Sequence, residues 1–189
     1  MEFATPQGLA IFRRVPLEIG HEAPDFTLPD THGNPTPLNG EGATATLVVF
    51  TCNHCPYALA WHERVNQVAR EYESRGVRTL QVSSNDAERY PRDSLEAMRE
   101  RVDAGDFSTP YLYDESQEVA RAYDARTTPH VFVFGADRRL TYQGAPDADY
   151  RNESLDADWL RDALDATLSG EPVELAETTP VGCSIKWRA

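Results

Sequence analysis

The sequence predicts an α/β fold in which helices cover both faces of a central mixed β-sheet. An apolar, β-prone run at Thr46–Phe50 is followed by an amphipathic segment and then by a second strand at Val77–Ser84, an order that places the two strands parallel. Two further apolar strands, His130–Phe134 and Leu140–Gln143, are separated by a short turn and predict an antiparallel hairpin. A last amphipathic segment, Asp156–Leu168, predicts a closing helix.

The first half of the chain supplies the parallel part of the sheet. A short alternating piece at Asp25–Leu28, followed by a Gly- and Pro-containing turn, predicts a short strand before the core begins. From Pro56 to about Arg75 apolar residues recur every three or four positions, which predicts a helix that Gly76 ends. The segment Asp93–Glu96 has the spacing of a capping box and predicts another helix, running to Gly105.

The second half continues with a short strand at Tyr111–Tyr113 and a helix predicted over Asp114–Ala125. We expect an N-terminal extension over residues 1–16, one domain over residues 17–169, and a C-terminal tail over residues 170–189 that carries Cys183.

Composition narrows the function classes. The chain has 189 residues and a net charge of −13, because 31 acidic side chains outnumber 18 basic ones, and this argues against binding to nucleic acid or to anionic membranes. The first residues lack the basic and apolar regions of a signal peptide, and no run approaches the length of a membrane span. We therefore expect a cytoplasmic protein, in which three cysteines indicate catalysis or metal binding rather than structural disulfides.

Two of the three cysteines form a Cys-x-x-Cys pair, Cys52 and Cys55, directly between the strand and the helix. A helix N-terminus stabilises a thiolate, so Cys52 is the candidate nucleophile. Cys55, about one turn later, is the candidate resolving thiol that releases the product. His54 lies between them and is either a group that lowers the pKa of Cys52 or an exposed filler residue.

A proline also precedes the strand that begins at His130. Pro129 cannot donate a ladder hydrogen bond, so we expect it at the first position of the strand or at a bend, and a cis bond is one option. From the residues alone an ordinary loop proline is the other option.

Three segments together resemble the thioredoxin-like superfamily, in particular its redoxin (AhpC/TSA) branch. They are Ala23–Leu28, Phe50–Pro56 and Thr127–Val133, and the resemblance extends over about residues 17–168. It implies a thioredoxin-like fold with a cis proline at Pro129 facing the cysteine pair. It also implies that Thr128 offers backbone contacts to a bound substrate.

Within that branch the chain is similar to a peroxiredoxin-like group that carries Cys-x-x-Cys and often ends in the segment found here at Gly182–Trp187. The peroxidase pattern of that branch requires a proline seven residues and a Thr or Ser three residues before the reactive cysteine. Counted from Cys55 these positions hold Val48 and Cys52, and counted from Cys52 they hold Ala45 and Val49. A thiol-dependent peroxidase is therefore disfavoured. It stays an alternative, because the thiolate of an exposed cysteine with a low pKa still reacts slowly with peroxide.

Cys183 is a candidate extra resolving thiol, a cap over the pair, or a tail cysteine without a role. A soft metal site built from Cys52, His54 or Cys55, and Cys183 is a further alternative, which would make the chain a metal-binding or redox-sensing protein without turnover. Because these ligands fall short of a closed four-ligand pattern, we expect no metal.

The sequence therefore predicts a thiol–disulfide oxidoreductase without a cofactor, acting on a thiol or disulfide of a protein or a small molecule. A cytoplasmic location favours a reductase, whereas a histidine before the second cysteine resembles strongly oxidising family members. The direction of electron flow stays open.

Overall fold

The computed structural model describes residues 16–188, so the predicted N-terminal extension lies outside the described residues apart from Pro16. Besides a short 3-10 helix at Pro91–Asp93, thirteen α-helices and β-strands follow one another along this part of the chain. They are β1 (Thr27–Pro29), β2 (Pro35–Pro37), β3 (Ala45–Phe50), α1 (Pro56–Glu73), β4 (Val77–Ser83), α2 (Leu95–Asp103), β5 (Tyr111–Tyr113), α3 (Glu118–Ala122), β6 (Thr127–Thr128), β7 (His130–Gly135), β8 (Leu140–Gly144), α4 (Asp158–Ser169) and β9 (Cys183–Ser184).

The central sheet has five strands in the order β5-β4-β3-β7-β8. Strands β3, β4 and β5 run parallel, whereas β7 and β8 form an antiparallel hairpin whose first strand pairs with β3. Phe50, the last residue of β3, lies between Val82 on one side and His130 on the other. This arrangement confirms the predicted mixed sheet, and β3 is its central strand.

The continuous apolar run in β3 serves two cores because side chains alternate between the faces of a strand. Leu47 and Val49 face the core that contains residues of α1 and α4, and Val48 and Phe50 face the core that contains Ala120 and its neighbours on the other side. Both faces of the strand are therefore buried, as a central parallel strand requires.

Helix α3 is shorter than predicted. The sequence pattern indicates a helix over Asp114–Ala125, but the structure has one only over Glu118–Ala122. Asp114 is fully buried and its carboxylate accepts the backbone N–H of Ala120 at 2.9 Å, while Gln117 adopts a left-handed backbone conformation. The first residues of the predicted helix therefore form a turn that the Asp114 side chain closes. Aspartate favours such turns because its side chain competes with the helix for backbone hydrogen bonds.

A second buried carboxylate, Asp147, joins the loop after β8 to helix α1. It accepts hydrogen bonds from the indole N–H of Trp61 at 2.8 Å and from the guanidinium of Arg64 at 2.7 Å. It also accepts the backbone N–H of Ala157, just before α4. Because Asp147 is 1% exposed, water does not compete for these hydrogen bonds, and they connect α1 to the start of α4.

We expect Asp147→Ala to lower the free energy of unfolding by about 3 kcal/mol, because it leaves the Arg64 charge and the Trp61 N–H buried without their partner. Chemical denaturation followed by fluorescence measures the loss. Asp162→Ala, an exposed position on α4, is the matched control and should stay within about 0.5 kcal/mol of the parent. Equal stability of the two variants would contradict the role given to Asp147.

The C-terminal tail, for which the sequence indicates no periodic structure, is docked on the domain. Strand β9 pairs with β6 in an antiparallel ladder separate from the central sheet. Ile185 is buried in the larger core, and the backbone of Lys186 is hydrogen-bonded to Asp86 and to the side chain of Asn85. The tail therefore returns to the carboxyl edge of the sheet. No helix within residues 16–188 has the length and apolar character that crossing a membrane requires.

Candidate redox-active site

The cysteine pair lies where β3 ends and α1 begins. Cys55 is the N-cap residue of α1, with Pro56 at the first helical position, where its missing N–H costs nothing. Cys52 and Cys55 are free thiols and are almost completely buried, at 2% and 0% exposure. The pair thus has the position that the sequence predicts for a redox site, but it is closed to solvent in this conformation.

The strand that precedes β7 contacts both sulfurs. The peptide bond between Thr128 and Pro129 is cis. The hydroxyl of Thr128 lies 3.3 Å from the Sγ of Cys52, and the backbone oxygen of Thr128 lies 2.9 Å from the Sγ of Cys55. Thr128 is therefore the residue that bridges the pair, with its side chain on one sulfur and its backbone on the other.

The third sulfur belongs to the same cluster. Cys183, half-buried, packs against Cys52 and Cys55, and it is the ladder partner of Thr128. Its backbone N–H helps to lower the pKa of the Cys55 thiol, and the neighbouring Cys55 helps to raise the pKa of Cys183. The backbone of Thr128, which the resemblance implies for substrate contacts, pairs here with the chain's own tail.

The hydrogen bond between the two thiols drives their pKa values apart. That bond, burial and the charge of Asp93 all raise the pKa of Cys52. The same bond lowers the pKa of Cys55, to about 4, with further help from the N–H groups of Ala58 and Cys183. The two thiols therefore titrate as a coupled pair, in which Cys55 is the more acidic partner. This differs from the sequence-based expectation, which places the more acidic thiol at Cys52.

The two sulfurs also have different neighbours. The Sγ of Cys55 is surrounded by the backbone oxygen of Thr128, the backbone N–H groups of Ala58 and Cys183, and the Cys183 thiol. The Sγ of Cys52 lies beside His54, whose side chain is 19% exposed and reaches the surface. Cys52 is 2% exposed and Cys55 0% exposed, and His54 is the group beside Cys52 that reaches the surface.

His54 contacts a buried carboxylate that the sequence analysis missed. Its Nδ1 lies 2.6 Å from an oxygen of Asp93, which is fully buried, and its ring stacks on Tyr90 with the planes 2° apart. Asp93 also accepts the backbone N–H of Asn53 and the side-chain amide of Asn85. These contacts fix both the imidazole and the loop between the cysteines, so His54 is not an exposed filler.

The role of Asp93 was hidden by the capping-box interpretation. The N-cap of α2 is Ser94, whose hydroxyl accepts the N–H of Ala97, and Asp93 turns inward instead. A signal was present nonetheless. Asp93 follows β4, a parallel neighbour of β3, and residues after the carboxyl ends of neighbouring parallel strands meet at one edge of the sheet.

We expect Asp93→Asn to make Cys52 easier to ionise, because the Asp93 carboxylate raises the pKa of that thiol. The pH profile of Cys52 alkylation by iodoacetamide, resolved by peptide fragmentation, should shift to lower pH. Asp103→Asn, an exposed carboxylate at the end of α2, is the control and should leave the profile in place. A shift to higher pH in the Asp93 variant would contradict this assignment.

Within residues 16–188, ligand atoms of Cys52, His54 and Asp93 lie within 4.8 Å of one another, which is the composition of a soft metal site. Ligand atoms at about 2 Å from a tetrahedral zinc are more than 3 Å apart. The His54–Asp93 contact of 2.6 Å is shorter than that. The observed geometry therefore suits a direct contact between imidazole and carboxylate better than a metal.

Solved structures similar to this chain include two of high overall likeness. An uncharacterized conserved protein from Geobacillus kaustophilus is 39% identical, with a TM-score of 0.86 over 91% of this chain and 93% of its own. A hypothetical protein from Sinorhizobium meliloti 1021 is 38% identical, with a TM-score of 0.86 over 91% and 96% of the two chains.

A thiol:disulfide interchange protein of the thioredoxin family from Chlorobium tepidum TLS is 17% identical, with a TM-score of 0.62 over 79% of this chain and 97% of its own. At that identity the likeness shows the fold alone, which is thioredoxin-like. The search of curated proteins found no match. The model of the AhpC/TSA family matches residues 19–143, about two thirds of the sequence. The chain belongs to the AhpC/TSA family.

Proposed function

We propose that the chain is a thiol–disulfide oxidoreductase that cycles between the dithiol and the disulfide of Cys52 and Cys55. The observation that carries this proposal is the placement of the pair. Two buried free thiols lie at the start of α1, and Thr128 contacts both. Such a pair releases one thiolate at neutral pH and keeps a second sulfur within reach to complete the exchange.

In the first step Cys52 gives its proton to the Cys55 thiolate and attacks a sulfur of the partner disulfide. One partner sulfur joins Cys52, and the other leaves as a thiolate that takes the proton from Cys55. In the second step the Cys55 thiolate attacks the Cys52 sulfur, forms the Cys52–Cys55 disulfide and releases the second partner thiolate. The protein loses two electrons and the partner gains them, and the reverse sequence oxidises a dithiol.

His54 and Asp93 act on the first of these steps. The Asp93 charge keeps the proton on Cys52 while no partner is bound, and the fixed imidazole lies where a partner approaches. We propose that His54 orients the incoming group and tunes Cys52, as a positioning residue held by Asp93. Thr128 and Pro129 present the backbone on which the partner docks once the tail has moved.

The proposal is tested by steady-state turnover of bis(2-hydroxyethyl) disulfide with dithiothreitol as electron donor. We expect turnover well above that of dithiothreitol alone. Stopped-flow oxidation of the reduced protein by hydrogen peroxide tests the alternative, a thiol-dependent peroxidase. Peroxide oxidation far faster than that of free cysteine, without disulfide turnover, would replace the proposed function by that alternative.

We expect the reduction potential of the pair to fall by about 30 mV per pH unit between pH 5 and pH 8, half of the slope for two protons. The reason is that the pKa of Cys55 lies near 4 and that of Cys52 is raised, so reduction of the disulfide takes up two electrons and one proton in this range. Glutathione redox titrations at several pH values measure it. A slope of about 59 mV per pH unit would show that both thiols are protonated.

The direction of exchange follows from the same titrations. A low potential supports a reductase, and a high potential supports an oxidant, because stabilising the Cys55 thiolate favours the reduced form. A cytoplasmic location and a partner carrying a thiol or a disulfide are parts of this proposal, which includes neither nucleic acid nor a membrane. Cell fractionation with thiol trapping tests the location.

A further inference from the structure

Strand β9 brings Cys183 to the cysteine pair through backbone pairing rather than by a loose contact. Cys183 is opposite Thr128, and Ser184 is opposite Thr127. The two strands approach so closely at Gly182 that a Cβ there would lie 2.2 Å from the backbone oxygen of Thr128. No side chain larger than hydrogen fits, so the residue before Cys183 is set by the docking of the tail.

Contacts beyond Cys183 hold the tail in the same place. Ile185 is buried, and its N–H donates to the backbone oxygen of Arg126. The ring of Trp187 lies under the guanidinium of Arg121 at 4.5 Å. The ammonium of Lys186 lies 5.8 Å from the ring centre of Tyr90, the residue that stacks on His54. The tail therefore contacts the active site from the sulfur cluster to the imidazole.

From this placement we propose that Cys183 is a third redox-active thiol, which takes the disulfide over from Cys52 by attacking Cys55. The inference rests on the proposed function, because it needs a Cys52–Cys55 disulfide to begin with. It is carried by the packing of Cys183 against the cluster that contains Cys52 and Cys55, and by the ladder that places Cys183 opposite Thr128, whose backbone oxygen lies 2.9 Å from the Cys55 sulfur.

The step conserves atoms and electrons. The Cys183 thiolate attacks the Sγ of Cys55, the Cys52–Cys55 bond breaks, and a Cys55–Cys183 disulfide forms. Cys52 leaves as a thiolate and takes up the proton that Cys183 lost. No outside oxidant is needed, since one disulfide replaces another. Burial raises the pKa of the Cys183 thiol, so the step accelerates as the pH rises and more of the attacking thiolate forms.

Trypsin separates the relevant cysteines cleanly. Cleavage at arginine and lysine leaves Cys52 and Cys55 together in the peptide 15–64, and Cys183 in the peptide 162–186. A Cys52–Cys55 disulfide stays inside the first peptide, whereas a Cys55–Cys183 disulfide joins the two peptides. Oxidation by diamide, trapping with N-ethylmaleimide and non-reducing mass spectrometry therefore distinguish the two states.

The deciding comparison is between Cys52→Ser and Cys55→Ser, which each keep Cys183 and one cysteine of the pair. We expect diamide to join the two peptides in monomeric Cys52→Ser at least ten times faster than in Cys55→Ser. In the Cys52→Ser background, Gly182→Ala should slow the linkage at least tenfold, because the added Cβ collides with Thr128 and displaces the tail.

Linkage in Cys52→Ser that is no faster than in Cys55→Ser would overturn the proposal, provided that wild-type protein forms the disulfide within peptide 15–64. In that event the proposed function stands and only the role of Cys183 fails. Absence of the disulfide within that peptide in the wild type is a different result, and it contradicts the proposed function itself.

Discussion

Cys52→Ser is expected to reduce disulfide turnover at least about a thousandfold, since a hydroxyl does not replace a thiol as nucleophile toward a disulfide. The remaining cysteines do not substitute for it. Cys55 is 0% exposed and its sulfur lies against the backbone oxygen of Thr128, so we expect a partner disulfide to meet Cys52 first. The loss should appear in both kcat and kcat/KM of bis(2-hydroxyethyl) disulfide turnover.

The control for this variant is Ser184→Ala, which removes an exposed hydroxyl beside the third cysteine and leaves all three sulfurs in place. It should keep turnover within about twofold of the wild type. Full activity in Cys52→Ser would show that another cysteine performs the attack, and the assignment of Cys52 as nucleophile would be wrong.

Cys55→Ser has a different expected outcome, a stalled covalent intermediate. Cys52 still attacks the partner, but no neighbouring thiolate is present to release it from the mixed disulfide. The attack itself should be slower, because Cys55 is also the group that accepts the Cys52 proton. We expect a stoichiometric adduct on Cys52 after incubation with oxidised glutathione, visible in the mass of the intact protein.

The matching experiment with Cys52→Ser decides which sulfur faces the partner. The pKa of Cys55 is lowered and that of Cys52 is raised, so acidity and access point to different cysteines. If the exposure of a sulfur, rather than its pKa, decides where glutathione reacts, the Cys52→Ser protein forms little glutathione adduct. An adduct on Cys55 that forms faster than the one on Cys52 in Cys55→Ser would reverse the two roles.

The sequence predicted the elements whose signals are local. The apolar run of β3, the helical spacing of α1 and the β7–β8 hairpin each depend on residues close together in the chain, and all three are present in the structure. The position of Cys52 and Cys55 between strand and helix was predicted for the same reason. Helix α3 was overestimated because the side chain of Asp114 competes with the backbone for hydrogen bonds.

Contacts between distant parts of the chain could not be predicted in this way. Asp93 meets His54 only because β4 lies beside β3, and Cys183 meets Cys55 only because β9 pairs with β6. The distribution of charge over the pair depends on these contacts. A lone cysteine before a helix is expected to be acidic, but the interaction with Cys55, burial and the charge of Asp93 raise the pKa of Cys52 and reverse the order.

The most direct test of the central claim is an equilibrium titration of the wild-type protein in glutathione redox buffers, followed by the mass of peptide 15–64 after alkylation. Cys52 and Cys55 should convert together in one reversible two-electron transition. The dithiol form gives a doubly alkylated peptide, and the disulfide form gives an unalkylated peptide that is two hydrogens lighter than the free dithiol. A peptide that stays doubly alkylated across the whole range, or carries only single glutathione adducts, would contradict the account.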